Sequence, residues 1–326
     1  MSTKKKQPFN KDILVLEDVG EVCNRIIDKM KNDVHKVLNR RGGIVGISGG
    51  IDSSVTFALG AHAFGQEHLK GIILPEKDSS SDSQEFAEKL ANKFGVEFIV
   101  ENISGALDGF GCYRRRDEAI KNVIPEFDPL IDKSKIEIKQ SIGTNMPSLF
   151  YITVIRANGE VISKLLPPKE YLQIVAASNF KQRSRMSMLY YHAERLHYAV
   201  LGTPNKHEVE QGFFVKYGDG GADVMPIGHL YKTQVYQLAE YLGVPEEIIE
   251  RTPTTDTYSA EQTQEDFFYQ MPFEDMDLIW YGWENGYPEE EVGKVMGRSS
   301  SEINSIYKNF ERKRKTTDYL RRKPIF

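Results

Sequence analysis

The sequence predicts an α/β protein in which a parallel sheet is covered by helices on both faces, and three observations carry that prediction. Short apolar runs alternate with amphipathic stripes of helical spacing from residue 44 onward. Glycines or a proline stand where several of those runs end, as turns between strand and helix require. A strand, helix, strand, helix, strand series can only close as right-handed crossovers, which leaves few topologies.

The bulk properties set the frame. The chain has 326 residues, 40% hydrophobic and 27% charged, enough apolar material for a sizeable core, so disorder is excluded as its main state. No window reaches the roughly 20 apolar residues of a membrane span, and Met1 to Asn10 lacks the apolar stretch of a secretory signal; a cytoplasmic location away from membranes is expected. Two cysteines, Cys23 and Cys112, offer neither a disulfide framework nor a Cys-rich metal site, so any metal is expected on oxygen ligands. A net charge of −5 argues against a chain built to grip nucleic acid.

In chain order, the first ten residues read as a frayed basic tail. Val19, Val22, Cys23, Ile26, Ile27, Met30, Val34, Val37 and Leu38 recur at helical spacing and stop before Gly42 and Gly43. Ile44 to Ile47 is a buried strand broken by Ser48, Gly49 and Gly50; a helix follows from Ser53 to about Phe64, and Gly71 to Leu74 is a second strand closed by Pro75. Phe86, Leu90 and Phe94 mark a helix that ends at Gly95, and Val96 to Val100 is a third strand. Residues 104–175 do not keep the rhythm and read as an insertion: 104–142 is charged with no sustained period, and Leu149 to Ile162 is a β-hairpin around Asn158 and Gly159. A helix from about Lys181 to Leu196 leads to a fourth strand, Ala199 to Gly202. Val235, Leu238, Ala239 and Leu242 form a helical stripe stopped by Gly243 and Pro245, and the last eighty residues are turn-rich, then helical and basic.

The segment Ser48 to Ser54 carries the sharpest chemistry. Gly49 and Gly50 let the backbone turn tightly and present N–H groups to an anion, the helix N-terminus adds partial positive charge, and the Ser48, Ser53 and Ser54 hydroxyls add donors. The Gly-Lys-Ser/Thr of a Walker loop and the dinucleotide fingerprint are both absent. A carboxylate beside phosphates repels them unless a cation intervenes, so Asp52 suggests Mg²⁺; its blander role is to favour the helix start. If the strand order is 3-2-1-4, the loops after strands one and four open into one crevice, and Asp52 faces Glu208 across it. Glu208 alone could be a solvated first-turn residue. Gly212 to Asp223 holds four glycines and reads as an extended loop with close backbone approach, in which Asp219 and Asp223 could be turn residues. Lys232, at a helix start where the dipole disfavours a cation, suits a bound anion.

These segments resemble the ammonia-dependent NAD synthetases: Ser48 to Ser53; Asn179, Lys181, Arg183, Arg185 and Met186 with Tyr190; Gly202 and Thr203 through Glu208; Gly212 through Asp223; Pro226; Lys232 and Gln234. The Ser-Gly-Gly-x-Asp-Ser loop specifies only the wider ATP pyrophosphatase (PP-loop) superfamily, whereas the later motifs are more specific. The resemblance covers about 15–103 and 176–326. It implies a Rossmann-like (adenine nucleotide alpha hydrolase-like) sheet with an inserted β-hairpin region. The domain organisation it implies is a single domain over 1–326, with the insertion at about 104–175 and a lid and C-terminal helical region at about 251–326.

It further implies ATP-dependent amidation of nicotinic acid adenine dinucleotide with ammonia, through an adenylated carboxylate, releasing AMP and pyrophosphate. ATP would bind through Gly46, Ser48, Gly49, Gly50, Asp52, Ser53, Thr203, Lys232 and Thr254, with Asp52 and Glu208 on Mg²⁺. Arg183, Tyr190, Lys216 and Asp223 would contact the dinucleotide, while Asp219, near the ammonia, and Lys232 would serve catalysis. Implied partners are a second copy of the chain in a homodimer and, unless ammonia is free, a separate glutaminase. Three departures fall on the acceptor side. Tyr319 and Leu320 stand where the family usually has His-Lys, the lid stretches at 254–258 and 264–265 differ, and the insertion replaces a segment bordering the acceptor. A ligase of the same superfamily acting on another carboxylate, or a non-catalytic nucleotide-binding homologue, are the alternatives.

Overall fold

A computed structural model describes residues 6–139, 149–254, 258–260, 263 and 269–325. The 140–148 part of the expected insertion and lid positions 255–257 and 264–265 lie outside them. The core sheet has four parallel strands in the order β3 (Phe98–Val100), β2 (Leu69–Ile73), β1 (Gly43–Gly46) and β7 (Ala199–Leu201), the expected 3-2-1-4 arrangement. β1 is flanked by β2 and β7, with Val45 opposite Gly71 on one side and Leu201 on the other. A fully enclosed central strand can carry only small and apolar side chains, and Ile44 and Val45 are buried.

Helices α1 (Val19–Lys31), α2 (Ile51–Phe64) and α3 (Ser81–Phe94) pack on this sheet around Val55, Phe57, Leu59, Leu69 and Leu90. The first stripe continues past α1 as a π-helical turn over Asn32–Val37, so the single helix expected there changes pitch. Gly95 ends α3 in the left-handed region at φ +65°, which favours a residue without Cβ.

Residues 104–139 hold more structure than the charge of this stretch suggests. They contain α4 (Ser104–Gly109), α5 (Cys112–Val123) and β4 (Lys133–Lys139), and β4 pairs antiparallel with β5 (Leu149–Ile155), which pairs with β6 (Val161–Leu165). The expected hairpin is therefore the outer half of a three-stranded sheet, with Gly159 at φ +85° in its turn. Ile136, Ile152 and Val154 of this sheet pack with Ala119 and Ile120 of α5 and with Ile174 of α6 (Pro168–Leu196), a helix that begins well before Lys181.

The remaining helices are α7 (Lys206–Gln211), α8 (Lys232–Leu242), α9 (Glu246–Ile249), α10 (Phe273–Glu284), α11 (Glu289–Met296), α12 (Ser300–Thr316) and α13 (Asp318–Arg321). A second core joins α10, α11 and α12 through Trp280, Val292, Ile303 and Phe310. The N-terminal tail is anchored here rather than frayed throughout. Phe9 is buried edge-on to Tyr287 at 5.2 Å, and its N–H donates to Glu291 at 2.8 Å. No helix among the described residues is long and apolar enough to cross a membrane. Cys23 and Cys112 are both free and buried.

Candidate functional site

The crevice opens where the sheet reverses direction, between the loops that follow β1 and β7. It leads into a cavity of about 810 Å³ lined by Gly46, Ser48, Gly50, Asp52, Ser53, Thr203, Glu208, Asp219 and Thr254, all expected at the site. Gly49 adopts φ +74°, and a Cβ there would lie 2.6 Å from the Ser83 carbonyl oxygen, so only glycine fits this turn. Gly50 caps α2, and Ile51, Asp52 and Ser53 of its first turn face the cavity with N–H groups that no intrahelical carbonyl can serve. The Ser53 and Ser54 hydroxyls both donate to the Gly50 carbonyl at 2.9 Å. Ser54 is fully buried and braces the loop, whereas Ser48 and Ser53 both face the cavity.

A charged cluster lies under the loop. Asp52 is ion-paired with Lys232 and accepts from the Asn205 side-chain amide at 3.1 Å. Asn205 caps α7 and Glu208 completes a capping box by accepting from the Asn205 N–H at 2.8 Å, so Glu208 does play the structural role open to a first-turn glutamate. Burial, then the Asp52 charge, push Glu208 up to about 8, against the pull of Lys232. The Lys232 ammonium is itself raised, because Asp52 and Glu208 outweigh its burial. The anion that Lys232 was expected to meet is thus the chain's own Asp52; the lysine is buried behind that carboxylate and is not part of the cavity wall.

Asp219 opens a 3-10 turn, accepts from the Val215 N–H at 2.8 Å and is pushed up to about 6, mainly by burial. The close backbone approach expected of Gly212 to Asp223 is to the protein itself. A Cβ on Gly220 would meet the Phe214 ring at 2.2 Å, and one on Gly212 would meet Thr317 at 2.4 Å.

Arg183, Tyr190, Lys216 and Asp223 fall outside the cavity wall. The Tyr190 hydroxyl shares its one proton between the Gly221 carbonyl at 2.7 Å and Asp223 at 2.9 Å. Asp223 also accepts from the Val200 N–H, pinning the loop to β7. Arg183 donates to the Lys216 carbonyl, while the Lys216 ammonium donates to the carbonyls of Tyr319 and Arg322. Gln182, Arg185, Met186 and Leu189 of α6 face the cavity instead, at the i, i+3, i+4, i+7 spacing of one helical face. Lys313, Tyr319 and Leu320 supply another wall. Burial, with Arg312 nearby, lowers Lys313 to about 8. Sequence reading singled out neither Arg185 as a wall residue nor Lys313; the phase of α6 could have found the former.

Fold and crevice define an open parallel α/β protein with its site at the strand-order reversal. Residues 22–124 and 138–323 match the NAD synthase family. An NH(3)-dependent NAD(+) synthetase of Mesorhizobium japonicum is 48% identical over 96% of this chain and 98% of its own length. That of Rhizobium meliloti is 44% identical over 96% and 92%. Among solved structures, an NH3-dependent NAD synthetase from Campylobacter jejuni aligns with a TM-score of 0.62 at 21% identity, covering 95% of this chain and 99% of that one. The NMN synthetase from Francisella tularensis aligns equally well, at 20% identity over 95% and 98%. At such identities these likenesses show the fold. The chain belongs to the NAD synthase family. The family match runs through 104–124 and 138–175, further than the extent carried by the sequence motifs, and leaves 125–137 outside it.

Proposed function

We propose that the protein is an ammonia-dependent NAD synthetase, a carbon–nitrogen ligase that amidates nicotinic acid adenine dinucleotide at the expense of ATP. The observation that carries the mechanism is the Asp52, Glu208 and Lys232 cluster beneath an N–H-rich helix start at the strand reversal. The ATP phosphates lie against Gly46 to Ser53, with Thr203 and Thr254 on neighbouring walls. The nicotinate carboxylate oxygen attacks the α-phosphorus, the bond to pyrophosphate breaks, and an acyl adenylate forms. Ammonia then attacks the acyl carbon and the bond to AMP breaks. Asp219, pushed up to about 6, takes the proton released by the nitrogen.

Asp52 and Glu208 fit Mg²⁺. They are two hard oxygen donors beside a phosphate site, near enough to each other that the Asp52 charge adds to burial in raising Glu208. Bound there, the ion would neutralise charge on the departing pyrophosphate. Lys232 holds Asp52 in place and keeps a fixed positive charge beside it. Arg183, Tyr190, Lys216 and Asp223 serve the acceptor by holding the Gly212 to Asp223 loop against it. A homodimer, and a separate glutaminase where ammonia is not free, complete the proposal, together with the single-domain organisation over 1–326 and a cytoplasmic location.

The test is incubation with ATP, Mg²⁺, ammonium and the acid dinucleotide. AMP, pyrophosphate and NAD are the expected products, and ADP with phosphate as the only nucleotide products would overturn the mechanism. One observation favours a second reading, amidation of another carboxylate: Tyr319 and Leu320 line the cavity where a His-Lys pair would be expected. AMP release with a different carboxylate, and none with the dinucleotide, would select it.

A further inference from the structure

Behind the site lies a buried acid that the mechanism does not use. Asp277 of α10 and His207 of α7 are both fully buried. The imidazole Nε2 lies 2.6 Å from one Asp277 carboxylate oxygen, and the other oxygen accepts from the Thr233 N–H at 2.7 Å. The Gln211 amide nitrogen lies 3.3 Å from Nδ1, an arrangement that places the ring proton on Nε2, facing the carboxylate. Tyr231, Tyr269 and Trp280 surround the ring edge-on, so no water competes for these bonds.

The two elements that Asp277 ties are those that carry the site. His207 immediately precedes Glu208, and Thr233 immediately follows Lys232. Asn205, two residues before His207, accepts from the His207 and Glu208 N–H groups and donates to Asp52. Lys232 also meets Asp52. The connections form a closed circuit: Asp277, His207, Asn205, Asp52, Lys232, Thr233 and back to Asp277. An acid that touches neither cavity nor substrate thereby fixes how the first turns of α7 and α8 face each other.

We propose that Asp277 is a positioning residue that holds Glu208 and Lys232 in register around Asp52, so that the cluster can take Mg²⁺ with the ATP phosphates. This rests on the reading of Asp52 and Glu208 as the magnesium site, and the wild-type protein tests that reading first. Calorimetric titration with ATP, with and without Mg²⁺ and without acceptor, should show tighter binding when the ion is present. If it does not, that reading and this inference fall together.

If it does, Asp277→Asn should weaken the Mg²⁺-dependent part of ATP binding about 10-fold or more, as loss of an outer-shell partner does at metal sites. Metal-free ATP binding should change little, and in turnover the Mg²⁺ concentration for half-maximal rate should rise while the acceptor KM stays put. Ile306→Val, in the same helical core but outside the circuit, serves as the stability control. An equal loss of Mg²⁺ dependence in that variant, or none in Asp277→Asn, would make Asp277 a packing residue only. Should Asp277→Asn not fold, His207→Gln replaces the ring N–H with an amide N–H and leaves the Thr233 bond in place. It should lower Mg²⁺-dependent affinity about threefold, the scale of one weakened hydrogen bond, and unchanged affinity would overturn the proposal.

Discussion

Among the described residues, two buried ion clusters are each centred on a lysine only 1% exposed, and they are built to different ends. Around Lys181, Glu76 lies at 3.0 Å and Asp78 at 2.5 Å, Arg116 also pairs with Asp78, and the Tyr113 hydroxyl donates to Glu76. Burial would raise Asp78, but Lys181 and Arg116 outweigh it and hold the carboxyl below its ordinary range. Around Lys232, Asp52 and Glu208 share one cation, and Glu208 is pushed up to about 8. The first cluster is saturated and fastens the segment after β2 to α5 and α6. In the second, Glu208 holds its proton at neutral pH and gives it up readily only to a further cation, and this cluster is the one that faces the cavity. Charge completed within the protein serves architecture; charge left for a ligand to complete serves binding.

The contrast is sharpest under substitution. Asp52→Asn should leave a folded protein and lower kcat/KM by about 100-fold or more, because a neutral amide replaces a hard-cation ligand poorly. Steady-state kinetics with a thermal melt as control would check this, and full activity would erase the distinction between the clusters. Lys181→Met is expected to act in reverse. Stranding Glu76 and Asp78 without their shared cation should cost about 3 to 5 kcal/mol of stability in chemical denaturation. The protein that remains folded should still release AMP.

Glu208→Gln separates the two purposes within one residue. A carboxyl raised from 4.5 to about 8 must keep a proton that the unfolded chain has released, so it penalises the folded state increasingly above pH 4.5 and fully above pH 8. Gln keeps the acceptor that the Asn205 N–H needs and removes the charge. Tm should therefore rise by about 2 °C or more at pH 8.5 and hardly at all at pH 4.5, while Mg²⁺-dependent turnover is lost. A lower Tm at high pH would show that the cluster is balanced after all. The smallest effect concerns Lys313, on the cavity wall beside Tyr319. Lys313→Met should raise the acceptor KM roughly threefold to tenfold and leave the ATP KM unmoved, the scale of one ordinary hydrogen bond.

The parts of this arrangement legible in the sequence are those whose signals are local. The β1 loop announces itself by an apolar run, two glycines and a helix start within ten residues, and the strand order follows from crossover geometry. α5 was hidden because its buried stripe, Cys112, Tyr113, Arg116, Ala119 and Ile120, has an arginine at its centre; its pairing with Asp117 and with Asp78, 38 residues away, lets that charge go inside. β4 carried a readable alternation, with Ser134 and Ile136 buried on one face, but lysines on the other face masked it. The partner of Lys232 lies 180 residues earlier, and no local pattern connects them. In α6 the motif was visible but its phase was not: Arg183 turns toward the Lys216 carbonyl and Arg185 toward the cavity.

The join between α7 and the C-terminal helices has a consequence in time. The Arg321 guanidinium donates to the carbonyls of Val209 and Glu210, backbone groups at the end of α7 that the helix itself cannot satisfy, and Thr317 sits against Gly212. Arg321 follows Val209 by 112 residues. At roughly 5 to 20 residues per second, a ribosome needs about 6 to 22 s to reach Arg321 after making Val209. For that interval the end of α7 lacks the donor that Arg321 brings, and the wall formed by Lys313, Tyr319 and Leu320 is the last part of the cavity to be made.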